Sequence, residues 1–163
     1  MKKMISFGFS LALLFSSMGL VHAEGEAKFK SEHKIYREKV ILKDDGTQEK
    51  LREEVKSALP GEELVGVLNY TYMHDKPADN TVLTTALQKE FIYVEGSATD
   101  EEFVWFSADG GKTYARFVDL RKIDDNGVPR IATGKDVTHL QWRHARALNQ
   151  GDGGVLEYRV TIR

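Results

Sequence analysis

The chain has 163 residues, with 23 Lys and Arg set against 25 Asp and Glu, a net charge of −2, and no cysteine. Without a thiol there can be no disulfide, thiol nucleophile, Cys-ligated metal or blue-copper centre, and Met73 is the one methionine beyond the first 23 residues, so a soft Cu(I) site is excluded too. The near-balanced charge includes no basic run, which argues against nucleic acid or an anionic membrane surface as a partner.

At the start of the chain, Lys2 and Lys3 precede an apolar run from Ile5 to Val21 that is diluted by Ser and Gly and leaves through Val21-His22-Ala23. A basic start, a short apolar middle and a small-residue exit are the parts of a secretory signal peptide, with cleavage expected after Ala23. The run is too short and too diluted to be expected to stay as a membrane anchor, and its exit offers no cysteine to a lipid. Residues 1–23 carry two lysines and no acid, so cleavage takes the charge from −2 to −4. The product is expected to be soluble, periplasmic or secreted, and of ordinary single-domain size. Residues 24–32, acidic and lysine-bearing, read as a flexible leader. One domain then spans residues 33–163.

Beyond the leader, hydrophobic periodicity is two in the clearest segments. Tyr36, Val40 and Leu42 lead into Asp44-Asp45-Gly46, a strong hairpin signal, which predicts paired strands over 33–43 and about 47–56. A helix over 48–59, ended by Pro60, competes with the second of these, because its residues are good helix formers. Residues 64–72, 91–94, 103–106 and 114–118 are rich in β-branched and aromatic side chains and read as strands. Residues 81–89 are ambiguous, with Thr81 and Val82 favouring a strand. Pro60-Gly61, Asp75-Lys76-Pro77, Gly96-Ser97, Asp109-Gly110-Gly111 and Asp124-Asp125-Asn126-Gly127 punctuate the series. Leu140 and Trp142 alternate with polar neighbours, and so do Leu156, Tyr158, Val160 and Ile162. The glycine-rich stretch between them implies a hairpin or a crossing between sheets. Short strands at this spacing predict an antiparallel β-sandwich of about seven to nine strands.

Taken in order, Pro60-Gly61-Glu62-Glu63, the strand to Tyr72, Asp75-Lys76-Pro77-Ala78-Asp79-Asn80, Tyr93-Val94-Glu95-Gly96-Ser97-Ala98 and Phe106-Ser107-Ala108-Asp109-Gly110-Gly111-Lys112-Thr113-Tyr114 resemble the conserved-repeat domain, domain of unknown function eleven, of bacterial envelope and surface proteins. The resemblance covers about residues 58–163. It implies an immunoglobulin-like sandwich without established catalytic activity, here in a single copy. The chain departs from the pattern at Thr71-Tyr72-Met73-His74 and at Leu87-Gln88-Lys89-Glu90.

Candidate chemistry is sparse. His33, His74, His139 and His144 form no ligand pair by spacing, and alternation sends His139 and His144 to opposite faces, so no metal site is assigned to them. The acidic glycine turns at Asp44, Asp109, Asp124 and Asp152 offer oxygen ligands to calcium, yet they are also what tight turns need for backbone reasons. Ser97 and Ser107 lack a motif-linked base. The pairs Glu53-Glu54, Glu62-Glu63 and Glu101-Glu102 are split across two faces by the same alternation. Tyr70, Tyr72, Tyr93, Trp105, Tyr114, Trp142 and Tyr158 are expected to fill the core. No catalytic, cofactor or metal residue is therefore named. The leading expectation is a non-catalytic binding or envelope-structural module with a protein partner; a calcium- or metal-stabilised surface module and a small carbohydrate-active enzyme using two carboxylates are the alternatives.

Overall fold

The computed structural model describes residues 29–55 and 57–163. The expected signal peptide and residues 24–28 lie outside them. Ten strands form: β1 (Phe29–Leu42), β2 (Gln48–Glu54), β3 (Glu63–Tyr72), β4 (Val82–Ala86), β5 (Phe91–Tyr93), β6 (Val104–Ser107), β7 (Arg121–Ile123), β8 (Pro129–Ile131), β9 (His139–Arg143) and β10 (Gly153–Ile162). All the pairings are antiparallel. They build a five-stranded sheet in the order β2-β1-β3-β10-β5, a three-stranded sheet β4-β9-β6 and a two-stranded ribbon β7-β8. No helix among the described residues is long and apolar enough to cross a membrane.

The two larger sheets pack face to face. In β10, Leu156, Tyr158, Val160 and Ile162 all point inward and are buried, as their period of two requires. Trp142 of β9 meets the Tyr158 ring at 6.3 Å from the other sheet, and Tyr93 of β5 meets Phe106 of β6 at 5.1 Å. Phe117 completes this aromatic group, 5.3 Å from Phe106 and 5.9 Å from Tyr93. Tilted ring pairs at such separations add to the free energy of area burial. The result is an all-β antiparallel sandwich. The segments read as β9 and β10 belong to different sheets, so their connection is the crossing and not the hairpin.

The N-terminal hairpin forms, with Gly46 at φ +80 and its N–H donating to the Lys43 carbonyl at 2.9 Å. Residues 48–54 are strand despite their helical propensity, because pairing with β1 supplies their backbone partners. Four expectations need correction. Strand β1 begins at Phe29, inside the stretch expected to be a leader, since Phe29 packs on Tyr70 and Tyr72. Residues 114–118 contribute only an isolated bridge, Ala115 to Phe106, before a 3-10 turn over Phe117–Asp119. Phe103 likewise closes a 3-10 turn ahead of β6. Among the described residues the strands number ten, more than the expected seven to nine, because β7 and β8, three residues each, form without the apolar alternation that would announce them.

Two glycines are fixed by close approach. Gly66 lies opposite Tyr158 in the β3-β10 register, and a Cβ there would fall 2.3 Å from Tyr158 Cζ. The tyrosine ring crosses β3 through this gap, and its hydroxyl is hydrogen-bonded to His33 Nε2 on β1 at 2.9 Å. At Gly134 a Cβ would meet the Tyr93 carbonyl oxygen at 1.9 Å, and the Gly134 carbonyl accepts the Tyr93 N–H at 3.0 Å. A loop thus lies along the outer edge of β5.

Candidate functional site

Three places on the described surface could meet another molecule. The first is the β7-β8 ribbon. Its hydrogen-bonded positions fall on even residues: the Ala132 N–H donates to the Leu120 carbonyl at 3.0 Å, and the Asp124 N–H to the Val128 carbonyl at 3.0 Å. Register places Arg121 opposite Ile131, Lys122 opposite Arg130 and Ile123 opposite Pro129. One face therefore holds Lys122 and Arg130; the other holds Arg121, Ile123, Pro129 and Ile131.

The charged face is the one tied to the body of the protein. Lys122 Nζ donates to the Ala108 carbonyl at 3.1 Å, and Arg130 grips Asp136 through two bonds of 2.8 and 2.6 Å. That guanidinium, with the Thr133 N–H and hydroxyl, holds the Asp136 carboxyl at about 2, against the opposing pull of desolvation. The apolar face looks outward: Ile123 is 57% exposed and Ile131 65%, with Val118 at 77% and Val128 at 55% in the flanking turns. This inverts the usual polarity of a surface hairpin. Exposed apolar side chains grouped on one face, here beside Arg121, are a feature that contact surfaces share.

The second place is the far end of the β1-β2 hairpin, where Val40, Ile41, Leu42 and Leu51 are exposed. There the apolar side chains are divided between both faces and interleaved with the ion pairs Lys39–Glu53 (2.7 Å) and Lys43–Glu49 (2.9 Å), so no single apolar face results. Further along the hairpin, Glu38 receives Arg159 at 2.6 Å and Arg52 at 2.9 Å, while Arg52 also reaches Glu157 at 2.6 Å. Strands β1 and β3 separate β2 from β10, about 14 Å in a flat sheet at ~4.8 Å per strand, so the hairpin must curl over this face. The network flanks Val65 and Val67 in register and accounts for their burial on the side away from the core. Arg159, and after it Arg52, hold the Glu38 carboxyl below the usual carboxylate range.

The third is a cleft of about 280 Å³ where the chain leaves β9, lined by Asp100, Phe103, Trp142, Arg143, His144, Ala145, Arg146 and Leu156. Asp100 sits in the left-handed region at φ 50, a conformation that costs free energy in a non-glycine residue. His144 packs on Tyr70 with ring centroids 5.3 Å apart and the rings tilted by 53°, its Nε2 is buried without a hydrogen-bond partner, and burial, then Arg146, lowers its pKa. Arg143 turns away to lie 3.8 Å over the Trp105 ring. The cleft is smaller than most ligand pockets. Among the described residues Asp100 is its only carboxylate, whereas glycoside hydrolysis calls for two facing acids.

The residues singled out by sequence are dispersed. His33 is committed to Tyr158, and burial lowers its pKa. His74 accepts the Lys76 N–H at 3.1 Å in the loop after β3. His139 lies against Thr138 and Gly111 on the outer side of β9, and His144 lies on the inner side, as alternation predicts. Ser97 Oγ donates to the Val94 carbonyl and accepts the Arg159 N–H, which occupies it in a turn.

Among the acidic turns, Asp109 receives the Lys112 and Thr113 N–H groups at 3.0 Å and the Ser107 and Thr113 hydroxyls. Desolvation opposes its charge, yet these bonds hold the carboxyl at about 2. Asp45, Asp124 and Asp152 likewise accept N–H groups from their own loops. These carboxylates do the work of turns, and among the described residues no three His, Cys, Asp or Glu side chains gather to hold a metal ion. Tyr70, Tyr72, Tyr93, Trp142 and Tyr158 are core, whereas Trp105 and Tyr114 are half-buried on the outer side. The ribbon escaped sequence reading. Its one visible signal was the spacing of Val118, Ile123, Val128 and Ile131 around Asp124-Asp125-Asn126-Gly127.

Compared with protein-family models, with curated proteins and with solved structures, the chain matches none of them.

Proposed function

We propose that this chain is a non-catalytic binding module of the bacterial envelope, exported by its N-terminal segment, with an immunoglobulin-like sandwich as scaffold and the β7-β8 ribbon as its contact with a protein partner. The observation that carries the reading is the inverted ribbon. Ile123 and Ile131 gain nothing from the core in their outward position, and burying each against a partner would contribute about 1.5–3 kcal/mol. Its charged face is spent on anchoring, which fixes the strip in place before a partner arrives and lowers the ordering cost of association. The dispersal of histidines, serines and carboxylates into turns and ion pairs supports binding over chemistry.

The test is recovery of envelope proteins on the immobilised chain, compared with the double variant Ile123→Lys, Ile131→Lys. Both positions are exposed, so thermal stability should stay within about 0.5 kcal/mol of the parent. A discrete partner retained by the parent and lost with the variant is the expected outcome; equal recovery on both would refute the ribbon as the contact.

A further inference from the structure

Among the described residues the two larger sheets end at β2, which covers β1 only from Tyr36 onward, and at β5, β4 and β6; the uncovered start of β1 carries Lys30, Glu32 and Lys34, and of the other edges all but β4 are guarded. Five of the seven residues of β2 are charged, a standard defence against unwanted strand pairing. The edge of β5 is closed by Gly134, whose carbonyl accepts the Tyr93 N–H. The edge of β6 is closed by Ala115, which exchanges backbone bonds of 2.8 and 3.0 Å with Phe106. The edge of β4 has none of these. Residues 81–87 read Thr-Val-Leu-Thr-Thr-Ala-Leu, without a charge, a proline or a glycine, and four of the seven are β-branched.

Register shows which backbone groups this edge presents. The His144 N–H donates to the Thr81 carbonyl and the Leu87 N–H to the Thr138 carbonyl, so odd residues of β4 bond to β9. The N–H and C=O groups of Val82, Thr84 and Ala86 therefore point away from the sheet. Strand β4 stands at the end of the strand order, and no described strand lies beyond it.

We infer that this edge pairs with the β4 edge of a second copy of the chain, antiparallel, about a two-fold axis through Thr84. Such a register sets Val82 opposite Ala86 of the other copy and Thr84 opposite Thr84, so every outward N–H and C=O meets its complement. Threonine against threonine is a favourable cross-strand pair. The flanking charges choose the copy over a foreign strand. Asp79 and Lys89 lie at equal sequence distances on either side of Thr84 and both are exposed; Lys89, its side chain 91% exposed, has Glu90 3.7 Å from its Nζ and must exchange that loose contact for Asp79 of the other copy. Antiparallel pairing brings the Asp79 end of each edge alongside the Lys89 end of the other, twice by symmetry. A contact of this kind is isologous and closes at two copies. It joins the two three-stranded sheets into one of six strands and uses no residue of β7 or β8.

The experiment is sedimentation equilibrium of the purified chain across concentrations from about 1 to 100 µM, the range in which small interfaces associate. The parent should pass from the mass of one chain to that of two. Thr84→Pro removes an N–H that makes no bond within the sheet, so its circular dichroism should match the parent while association weakens at least tenfold. Asp79→Lys and Lys89→Asp, each alone, should weaken association, and the two together should restore it. If Thr84→Pro does not fold, the charge exchange decides by itself: restoration in the double variant supports the pairing. A parent that stays a single chain throughout overturns the inference, as does a dimer indifferent to the proline and to both charge reversals. The ribbon variant Ile123→Lys, Ile131→Lys should dimerise like the parent, so this outcome is separable from that of partner capture.

Discussion

Gly66 shows how one missing side chain organises the inside of the sandwich. Tyr158 is buried completely, and its ring can cross β3 to His33 only because nothing projects from residue 66. Gly66→Ala would press a methyl group into a ring that has no room to withdraw. We expect a loss of about 1–3 kcal/mol, read as a lower urea midpoint at unchanged slope. A midpoint equal to the parent's would show that the ring is not wedged there. In the sequence, the glycine inside Leu64-Val65-Gly66-Val67-Leu68 is visible, but the residue it makes room for lies more than ninety residues away. Only the pairing of β3 with β10 connects them. The inward set of β10 was legible for the opposite reason, since alternation is local.

At the scale of the element, turns were easier to read than the strands between them. Asp44-Asp45-Gly46 and Asp124-Asp125-Asn126-Gly127 each turn a hairpin, because aspartate carboxylates and a positive-φ glycine satisfy the loop backbone wherever the chain places them. The strands that the second turn joins could not be read. Three residues are too few for a period, and these point their isoleucines away from the core. The segment 114–118 misled in the opposite sense: its aromatic and β-branched composition suits a strand, but Phe117 leaves the ladder to pack on Tyr93 and Phe106. The anchoring of the ribbon can be measured. The Asp136 carboxyl is nearly buried and titrates at about 2, below the ordinary 3.8. Its contribution is therefore complete above about pH 4 and fades as the pH falls toward 2, where the folded form takes up its proton. Asp136→Asn should cost about 1–2 kcal/mol at neutral pH, with a shallower acid limb between pH 4 and 2 in urea unfolding. An acid limb as steep as the parent's would remove Arg130–Asp136 from the account of the ribbon.

For the molecule as a whole, pattern was enough to identify an all-β sandwich, because each large sheet must bury one face of alternating side chains. Pattern could not find the exposed apolar face of β7 and β8. Its apolar strip is made of exposed residues scattered through a turn-rich segment, and they form one face only when β7 and β8 pair. The core is thus written in local periodicity, and the proposed contact surface in register. The most direct measurement is photo-crosslinking in intact cells from a probe placed at Ile131, with the same probe at Val155, exposed to a similar degree on the five-stranded sheet, as reference. A single discrete adduct with another protein from position 131, and none from 155, is the predicted result. No adduct from 131, or the same adducts from both positions, would contradict the assignment of the ribbon as the partner-binding face.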